Sequence, residues 1–206
     1  MRDSSLALKA VAILAVAGIA AYYYLQQSDA GDTGGLQFSG ATGPELVIEL
    51  GGAAEGTITI GLLPDVAPEH VARLVELAES GAYDGVVFHR VIDGFMAQTG
   101  DVSFGRVDGD ISRAGSGSSD LPDLAAEFSD LRFERGVVGM ARAASPNSAN
   151  SQFFIMFAPA PNLNGSYTVV GRVTEGMDVV DAIRKGDGPN GAVSEPDYMA
   201  RVRVVR

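Results

Sequence analysis

Two stretches of the chain place a few polar side chains among bulky apolar ones. The first, residues 86–101, contains Arg90 and Gln98, and the second, residues 140–157, contains Gln152. Neither stretch carries an activated nucleophile, a cluster of metal ligands or a phosphate-binding loop. Fixed donors around an apolar pocket suit an apolar ring attached to a peptide backbone better than they suit bond-breaking chemistry.

Side chains alternate between the two faces of a β-strand, so each polar donor is expected to share a face with large apolar groups. A single case would be ordinary, because the stem of an Arg or Gln often covers apolar surface. Three cases together favour a binding site. The predicted shared faces contain Phe88, Arg90 and Ile92; Met96 and Gln98; and Gln152, Phe154 and Met156.

Other chemistries find little support in the residues. His70 and His89 are the two histidines of the chain; His70 is expected on the surface or flank of a helix, and His89 opposite Arg90 on its strand. No G-x-S-x-G elbow is present for a hydrolytic triad. The histidines lack the clustered carboxylates of a zinc or iron site, and the Gly-rich stretch 115–117 lacks the lysine of a phosphate loop. No cofactor is expected.

Composition narrows the function further. The chain of 206 residues has room for one ordinary domain and an appendage. It contains no cysteine, which excludes disulfides and thiolate metal sites. Its net charge of −11 would repel a phosphate backbone, so no nucleic-acid partner is expected. We expect a monomer.

The N-terminus looks like a membrane segment. Residues 6–25 form an apolar run interrupted only by Lys9, and such a run is long enough to cross a hydrocarbon core of about 30 Å. Arg2 and Lys9 precede most of the run, while Asp29 and Asp32 follow it. The positive-inside rule then places the N-terminus in the cytoplasm and the later residues outside.

We therefore predict a transmembrane signal anchor over residues 1–25, a flexible linker over 26–43 and a folded domain over 44–206 on the periplasmic side of the membrane. The tyrosines at 22–24 fit an interfacial aromatic belt, which favours an anchor that stays. The alternative is a cleaved signal peptide, since residues 15–17 and residues 28–30 both loosely fit a small-x-small site. The domain would then be secreted to the periplasm.

The folded domain is predicted to be mainly β. Eight short runs rich in Val, Ile and Phe are bounded by Gly, Pro or Asp, which favours a closed barrel or a sandwich. Two helices interrupt them, over residues 68–81 and from Met177 to about Lys185. A long Gly/Ser/Asp-rich loop covers residues 105–122. The predicted strands are 46–50, 57–63, 86–92, 95–99, 136–141, 152–157, 167–173 and 199–205.

Several segments resemble the signature of cyclophilin-type peptidyl-prolyl cis-trans isomerases. They are FHRVI (88–92), GFMAQ (94–98), MARA (140–143), SQFFI (151–155) and LNGSYTVVG (163–171). The resemblance runs in order from about Glu45 to Arg206, and residues 140–154 are most similar to bacterial members. It implies an eight-stranded antiparallel closed barrel capped by two α-helices, with the site on its outer face. The implied activity is acceleration of rotation about X-Pro bonds during protein folding, without a cofactor.

The resemblance also implies roles by position. Arg90 would be the catalytic arginine and Gln98 its hydrogen-bonding neighbour. The proline pocket would contain Phe95, Met96, Phe154 and Leu163, and the groove for the substrate backbone would contain Ala141, Arg142, Ala143 and Gln152. The implied partners are proline-containing segments of unfolded or partly folded proteins.

Four residues depart from the family pattern. Thr99 stands where the family usually has Gly, and Arg142 replaces a common Asn. Asn162 occupies the position of a tryptophan tied to cyclosporin binding, and Tyr167 replaces a histidine that closes the pocket. The loop over residues 102–135 also lacks the usual Thr-Gly-Gly-rich pattern. These departures leave open an alternative function, a catalytically weak proline-peptide binding or holdase module on the same fold.

Overall fold

The computed structural model of the protein describes residues 43–206, which form one antiparallel sheet, two α-helices and short 3-10 turns. The strands are β1 (Glu45–Gly51), β2 (Gly56–Leu62), β3 (Val86–Val87), β4 (Arg90–Ile92), β5 (Met96–Thr99), β6 (Val137–Met140), β7 (Phe153–Met156), β8 (Val169–Glu175) and β9 (Tyr198–Val205). The helices are α1 (Pro68–Glu79) and α2 (Met177–Ala182), and the 3-10 turns are Ile111–Arg113, Pro161–Leu163 and Pro189–Gly191. The strand order is β3-β9-β1-β2-β8-β6-β7-β5-β4.

Strand β1 shows why these residues form a sheet. Its side chains alternate in burial, and Leu46, Ile48 and Leu50 lie on the buried face. Leu46 lies opposite Ile60 of β2, and Ile48 lies opposite Ile58. Full burial of a Leu or Ile side chain is worth about 1.5–3 kcal/mol. A slip of one residue would expose this whole set, so the apolar pattern fixes the register.

The sheet is curled, and its two end strands, β3 and β4, are consecutive in the chain. Strand β3 pairs with β9, and strand β4 pairs with β5. Only Phe88 and His89 separate β3 from β4 in the chain. The hydroxyl of Thr99 on β5 donates to the Val87 carbonyl across this break, at 2.9 Å. The prediction of an eight-stranded closed barrel is therefore corrected to a curled sheet of nine strands. The predicted single strand over residues 86–92 is divided because the backbone changes its hydrogen-bonding partner midway.

The break also changes which side chains share a face. Phe88 is fully buried in the main core, and its N–H donates to the Asp197 carbonyl at 2.8 Å. Arg90 and Ile92 are half-buried, and Ile92 packs against the second apolar cluster instead. The predicted shared face of these three residues is thus wrong for Phe88, because strict alternation ends where the strand is interrupted.

Two apolar clusters cover the two faces of the sheet. In β7, Phe153 and Ile155 belong to the main core, whereas Phe154 and Met156 belong to the second cluster. This alternation follows from the period of two in a strand. The second cluster contains Met96, Leu131, Phe133, Val137, Phe154, Met156, Ala160, Leu163 and Val169. Several residues predicted for the site therefore lie on the opposite face of the sheet from the main core.

The helices begin where the sequence predicts, but the second ends early. Pro68 occupies the first turn of α1, where its missing N–H costs nothing, and Val71 and Leu74 bury the apolar face. Helix α2 ends at Ala182 rather than near Lys185. The next residue, Ile183, has extended backbone angles and is 1% exposed. Its burial in the core draws the chain out of the helix.

His70 is buried rather than on the surface, contrary to the prediction. Its side chain is 0% exposed, and its Nδ1 lies 2.5 Å from Oε2 of Glu127. The same carboxylate accepts the backbone N–H groups of Glu69 and His70, which no side chain of the helix itself caps. Glu127 therefore ties the segment before β6 to the N-terminus of α1, where a negative charge is favourable.

Among residues 43–206, no helix is long and apolar enough to cross a membrane. The predicted anchor over residues 1–25 lies outside the described residues, as does the linker over 26–43 apart from its last residue.

His89, in the break between β3 and β4, is held in its neutral form. Its side chain is 9% exposed and lies beneath Gly115. Burial lowers the pKa of His89 to about 4; the nearby Arg90 guanidinium acts in the same direction, and Asp101 only partly offsets it. An imidazole with this pKa carries no charge at neutral pH, so it adds bulk rather than charge beneath the loop.

We expect the free energy of unfolding to fall as the pH drops from about 6.5 towards 4. Over this range the unfolded chain binds a proton at His89 that the folded chain does not, so stability present above pH 6.5 is lost, by about 3 kcal/mol. Urea titrations at several pH values would measure it. The difference between wild type and His89→Leu isolates this residue, and identical pH dependence in both proteins would contradict the burial of a neutral imidazole.

Candidate active site

A pocket of about 190 Å³ opens on the outer face of the sheet. Its volume accommodates a small ring rather than a large ligand. The pocket is lined by Arg90, Phe95, Met96, Gln98, Ala141, Arg142, Phe154, Leu163 and Tyr167. The other two residues predicted for the site, Ala143 and Gln152, line an adjoining groove of about 280 Å³. The structure thus brings all the predicted site residues together.

Arg90 is held at two edges of its guanidinium. It lies directly opposite Gln98 in the β4–β5 pair, and its Nη1 donates to Oε1 of Gln98 at 3.1 Å. The same Nη1 lies 3.9 Å from Sδ of Met96. On the other edge, Nε donates to the carbonyl of Asn190 at 3.0 Å. Within residues 43–206, Nη2 donates to no protein group.

A chain of side-chain amides continues from Arg90 into the long loop. Gln98 lies opposite Phe154 on β7, and its Nε2 donates to Oε1 of Gln152 at 2.9 Å. Nε2 of Gln152 donates in turn to the carbonyls of Gly115, at 3.2 Å, and Gly117, at 2.8 Å. Each amide both donates and accepts, which fixes the orientation of the oxygen that Arg90 contacts.

An aromatic cluster forms the wall of the pocket. The ring of Phe154 stacks on Phe133 at 5.7 Å between centroids, and Tyr167 meets Phe154 edge-on at the same distance. Gly139 on β6 makes room for this arrangement, because a Cβ there would lie 2.6 Å from atoms of both Phe133 and Phe154. Offset and edge-to-face pairs add about 0.5–1.5 kcal/mol each beyond burial, so the wall is rigid.

Two of the departures from the family pattern contact each other. The guanidinium carbon of Arg142 lies 4.5 Å from the ring centroid of Tyr167. Arg142 donates to the carbonyl of Ser166 from Nε, at 3.2 Å, and from Nη2, at 3.0 Å. Its Nη1 donates to the Ala143 carbonyl at 3.0 Å. Arg142 therefore joins the loop after β6 to the segment that carries Tyr167.

The other two departures leave the pocket lining unchanged. Thr99 is fully buried, and its hydroxyl is occupied by the Val87 carbonyl described above. Asn162 is exposed in the 3-10 turn Pro161–Leu163 and does not line the pocket, whereas Leu163 does. Neither substitution removes a donor from Arg90 or a ring from the aromatic wall.

Asp101 shapes the loop beside the site, although sequence reasoning gave it no role. Its carboxylate is fully buried and accepts N–H groups from Ser103, Phe104, Gly115 and Gly117 at 2.7–3.1 Å. Four such donors satisfy a buried charge. A lone Asp at the end of the motif stretch, followed by a loop rich in Gly and Ser, was the available signal.

Asn190 was also missed. It adopts a left-handed backbone conformation, with φ of 57°, in the 3-10 turn Pro189–Gly191. The turn presents the Asn190 carbonyl to Arg90, and Ala192 forms an isolated bridge with Arg90. No local pattern joins residues so far apart in the chain. The Pro-Asn-Gly turn signature was present, but nothing in the sequence connects it with the site.

Comparisons with known proteins agree on one family. Residues 46–204 match the family model described as cyclophilin type peptidyl-prolyl cis-trans isomerase/CLD. A probable peptidyl-prolyl cis-trans isomerase of Brucella suis is 54% identical over 174 residues, which cover 83% of this chain and 88% of the relative.

Solved structures carry the same fold. A cyclophilin from Hirschia baltica superimposes with a TM-score of 0.64 at 26% identity, over 77% of this chain and 73% of that one. A cyclophilin type isomerase of Cryptosporidium parvum, crystallised in the presence of the dipeptide Ala-Pro, gives 0.67 at 23% identity, over 79% and 99% of the two chains. With the family match over most of the described residues, the chain belongs to the cyclophilin-type peptidyl-prolyl cis-trans isomerases.

Proposed function

We propose that Arg90 carries the isomerase activity by donating a hydrogen bond to the prolyl nitrogen of an X-Pro bond, while the aromatic pocket holds the proline ring. The substrates are proline-containing segments of unfolded or partly folded proteins, bound by a monomer without a cofactor. The observation that carries the proposal is the geometry of Arg90, which two fixed acceptors hold while Nη2 donates to no group of the described residues.

The chemistry asks little beyond such a donor. Rotation about a prolyl amide crosses a barrier of about 18–20 kcal/mol, which arises from resonance between nitrogen and carbonyl. In the twisted transition state the nitrogen lone pair is localised, and a hydrogen bond to it is strongest there. Interactions stronger in the transition state than in the ground state are the ones that accelerate a reaction. A preorganised donor of this kind is worth about 3–4 kcal/mol.

The pocket supports the choice of ligand. Its apolar wall, built from Phe154 and its neighbours, matches a proline ring, and the adjoining groove lined by Ala143 and Gln152 leaves room for the residues beside that ring. The Cryptosporidium parvum relative was crystallised with a dipeptide that ends in proline. These features favour a peptide over a free small molecule.

The holdase alternative loses its main support. It depended on the departures at Thr99, Asn162 and Tyr167. Thr99 and Asn162 lie outside the pocket lining, and Tyr167 completes the aromatic wall. A binding module would need the pocket alone, whereas this chain also holds an arginine ready to donate beside it.

Replacement of Arg90 by Ala should lower kcat/KM by about two to three orders of magnitude while leaving the fold intact, from the worth of one preorganised donor. A protease-coupled assay on a proline peptide measures it. Arg90→Lys should recover little, since an ammonium lacks the planar fork that reaches Gln98 and Asn190 together. Arg203→Ala is the matched control, because that arginine pairs with Glu49 on the surface. Near wild-type turnover in Arg90→Ala would remove Arg90 from the mechanism.

The turn Pro189–Gly191 is proposed to position Arg90. Gly191 has a φ of 80°, and a Cβ there would lie 2.5 Å from Cγ1 of Ile92 and 3.0 Å from the Val91 carbonyl oxygen. The turn therefore packs directly on β4. Any side chain at 191 would push the turn away and separate the Asn190 carbonyl from Nε of Arg90.

We expect Gly191→Ala to lower kcat about tenfold with a smaller change in KM, because a charged hydrogen bond that orients Arg90 is weakened while the proline pocket stays intact. Steady-state kinetics with a proline peptide separates the two constants. Gly109→Ala is the control, since a Cβ there meets only the Arg106 carbonyl oxygen at an ordinary 3.6 Å. An equal rise in KM with unchanged kcat would show that the turn acts on binding instead.

We further propose that the isomerase belongs to bacteria and works outside the cytoplasm, on an uncleaved N-terminal anchor. The support is the pattern of the sequence: the apolar run over residues 6–25, the charges on either side of it, and the tyrosines at 22–24. A bacterial relative is 54% identical. Proline isomerisation limits folding over tens of seconds and needs no ATP, so an enzyme without a cofactor suits proteins emerging across a membrane.

The full-length chain should fractionate with membranes and be degraded by added protease only when the outer side of the membrane is accessible. Orientation follows the flanking charges, so exchange of Arg2 and Lys9 for Asp, together with Asp29 and Asp32 for Lys, should reverse the protection pattern. A soluble periplasmic form shortened at its N-terminus would support cleavage, and a cytoplasmic wild-type domain would overturn the proposal.

A further inference from the structure

A second groove leaves the proline pocket beside the long loop. It has a volume of about 500 Å³ and runs between the 3-10 turn Ile111–Arg113 and the turn Pro189–Gly191. We call it the Arg113 groove. It is lined by His89, Arg90, Gln98, Ser112, Arg113, Ala114, Gly115, Ser116, Pro189, Asn190 and Ala192.

The two grooves open from different walls of the pocket. The groove of Ala143 and Gln152 shares Ala141 and Arg142 with the pocket, whereas the Arg113 groove shares Arg90. Gln98 lines all three spaces, and Gly115 and Ser116 also line both grooves. A peptide whose proline ring fills the pocket can therefore send residues from its two sides past different walls.

The Arg113 groove is positively charged within an acidic protein. The chain has 26 acidic residues and a net charge of −11, yet no carboxylate of residues 43–206 lines this groove, which contains both Arg90 and Arg113. Its other titratable side chain, His89, is neutral at pH 7 because burial lowers its pKa to about 4. The neighbouring groove, in contrast, contains Asp123 as well as Arg142.

Arg113 is unpaired and already oriented. Among residues 43–206 it makes no ion pair, although Asp110 lies near enough to feel its charge. The Asp110 carboxylate accepts the N–H of Ser112 and so caps the 3-10 turn. The guanidinium carbon of Arg113 lies 3.7 Å from the ring centroid of Phe104, whose own N–H donates to the buried Asp101.

These observations support a role for the Arg113 groove in substrate specificity. We propose that the Arg113 groove binds the carboxylate of an Asp or Glu that flanks the substrate proline, so that acidic X-Pro segments turn over faster than neutral ones. The proposal rests on the proposed function of the pocket. An arginine stacked on a ring loses less freedom on binding than a free side chain would, and its planar fork suits a carboxylate.

The test uses the full chain and short peptides with one X-Pro bond. Glu, Gln or Lys is placed in turn at each of the two positions before and after this dipeptide. At one position or more, on one flank, we expect kcat/KM for Glu to exceed that for Gln by about two- to fivefold, with Lys below Gln, as for a partly exposed ion pair. The preference should shrink as salt is raised. The Kd of each peptide is measured in parallel.

Variants assign the preference to its residue. Arg113→Gln should abolish the ratio of Glu to Gln, Arg113→Lys should keep part of it, and Arg113→Glu should favour Lys. Arg106→Gln is the matched control, because it removes the same charge from the same loop but from an arginine paired with Asp108 outside the groove. The ratio should survive there.

Different results would contradict the groove assignment and the proposed function. Equal kcat/KM and equal Kd for Glu and Gln peptides at every position would overturn the groove assignment, as would a Glu preference that Arg113→Gln retains. Loss of turnover on all peptides would contradict the proposed function, and the ratio of Kd values would still decide whether Arg113 recognises a carboxylate.

Discussion

The change of hydrogen-bonding partner at Phe88 and His89 is the constraint on which the site depends. On one side of it the chain pairs with β9, and on the other it pairs with β5. The switch allows Phe88 to enter the main core while Arg90 emerges on the outer face opposite Gln98. An uninterrupted strand would place both side chains on one face. The interruption of the strand thus places Arg90 and the core residue Phe88 on different faces.

This site contains an arginine held by hydrogen bonds, where other enzymes have reactive groups. No proton is transferred in the rotation of an amide, so the site needs neither an acid nor a base; the one histidine near Arg90 is kept neutral. In the proposed mechanism, the guanidinium of Arg90 does not have to be ordered during the reaction. The Asn190 carbonyl and the amides of Gln98 and Gln152 supply that order before substrate arrives.

A feature of this structure was predictable from the sequence when the residues that determine it lie close together in the chain. The period of two in β1 and the Pro68 start of α1 are local, and they were predictable. The pocket residues were predictable because they lie in contiguous segments with a family signature. The division of the strand over residues 86–92 was not, because its cause is the partner of each half. Nor was the burial of His70, which depends on Glu127, 57 positions away.

The long loop depends both on its local sequence and on contacts with residues far away in the chain. Its backbone at Gly115 and Gly117 is held by the buried Asp101 carboxylate and by Gln152, whereas the side chain of Arg113 beside the pocket makes none of these contacts. Function in loops held by a rigid scaffold commonly evolves in this way. Arg142 and Tyr167 illustrate the same separation on the opposite wall, where two departures from the family pattern contact each other and leave Arg90 untouched. In the proposed mechanism, the rate depends on side chains of the sheet, and the choice of peptide depends on the loops that flank it.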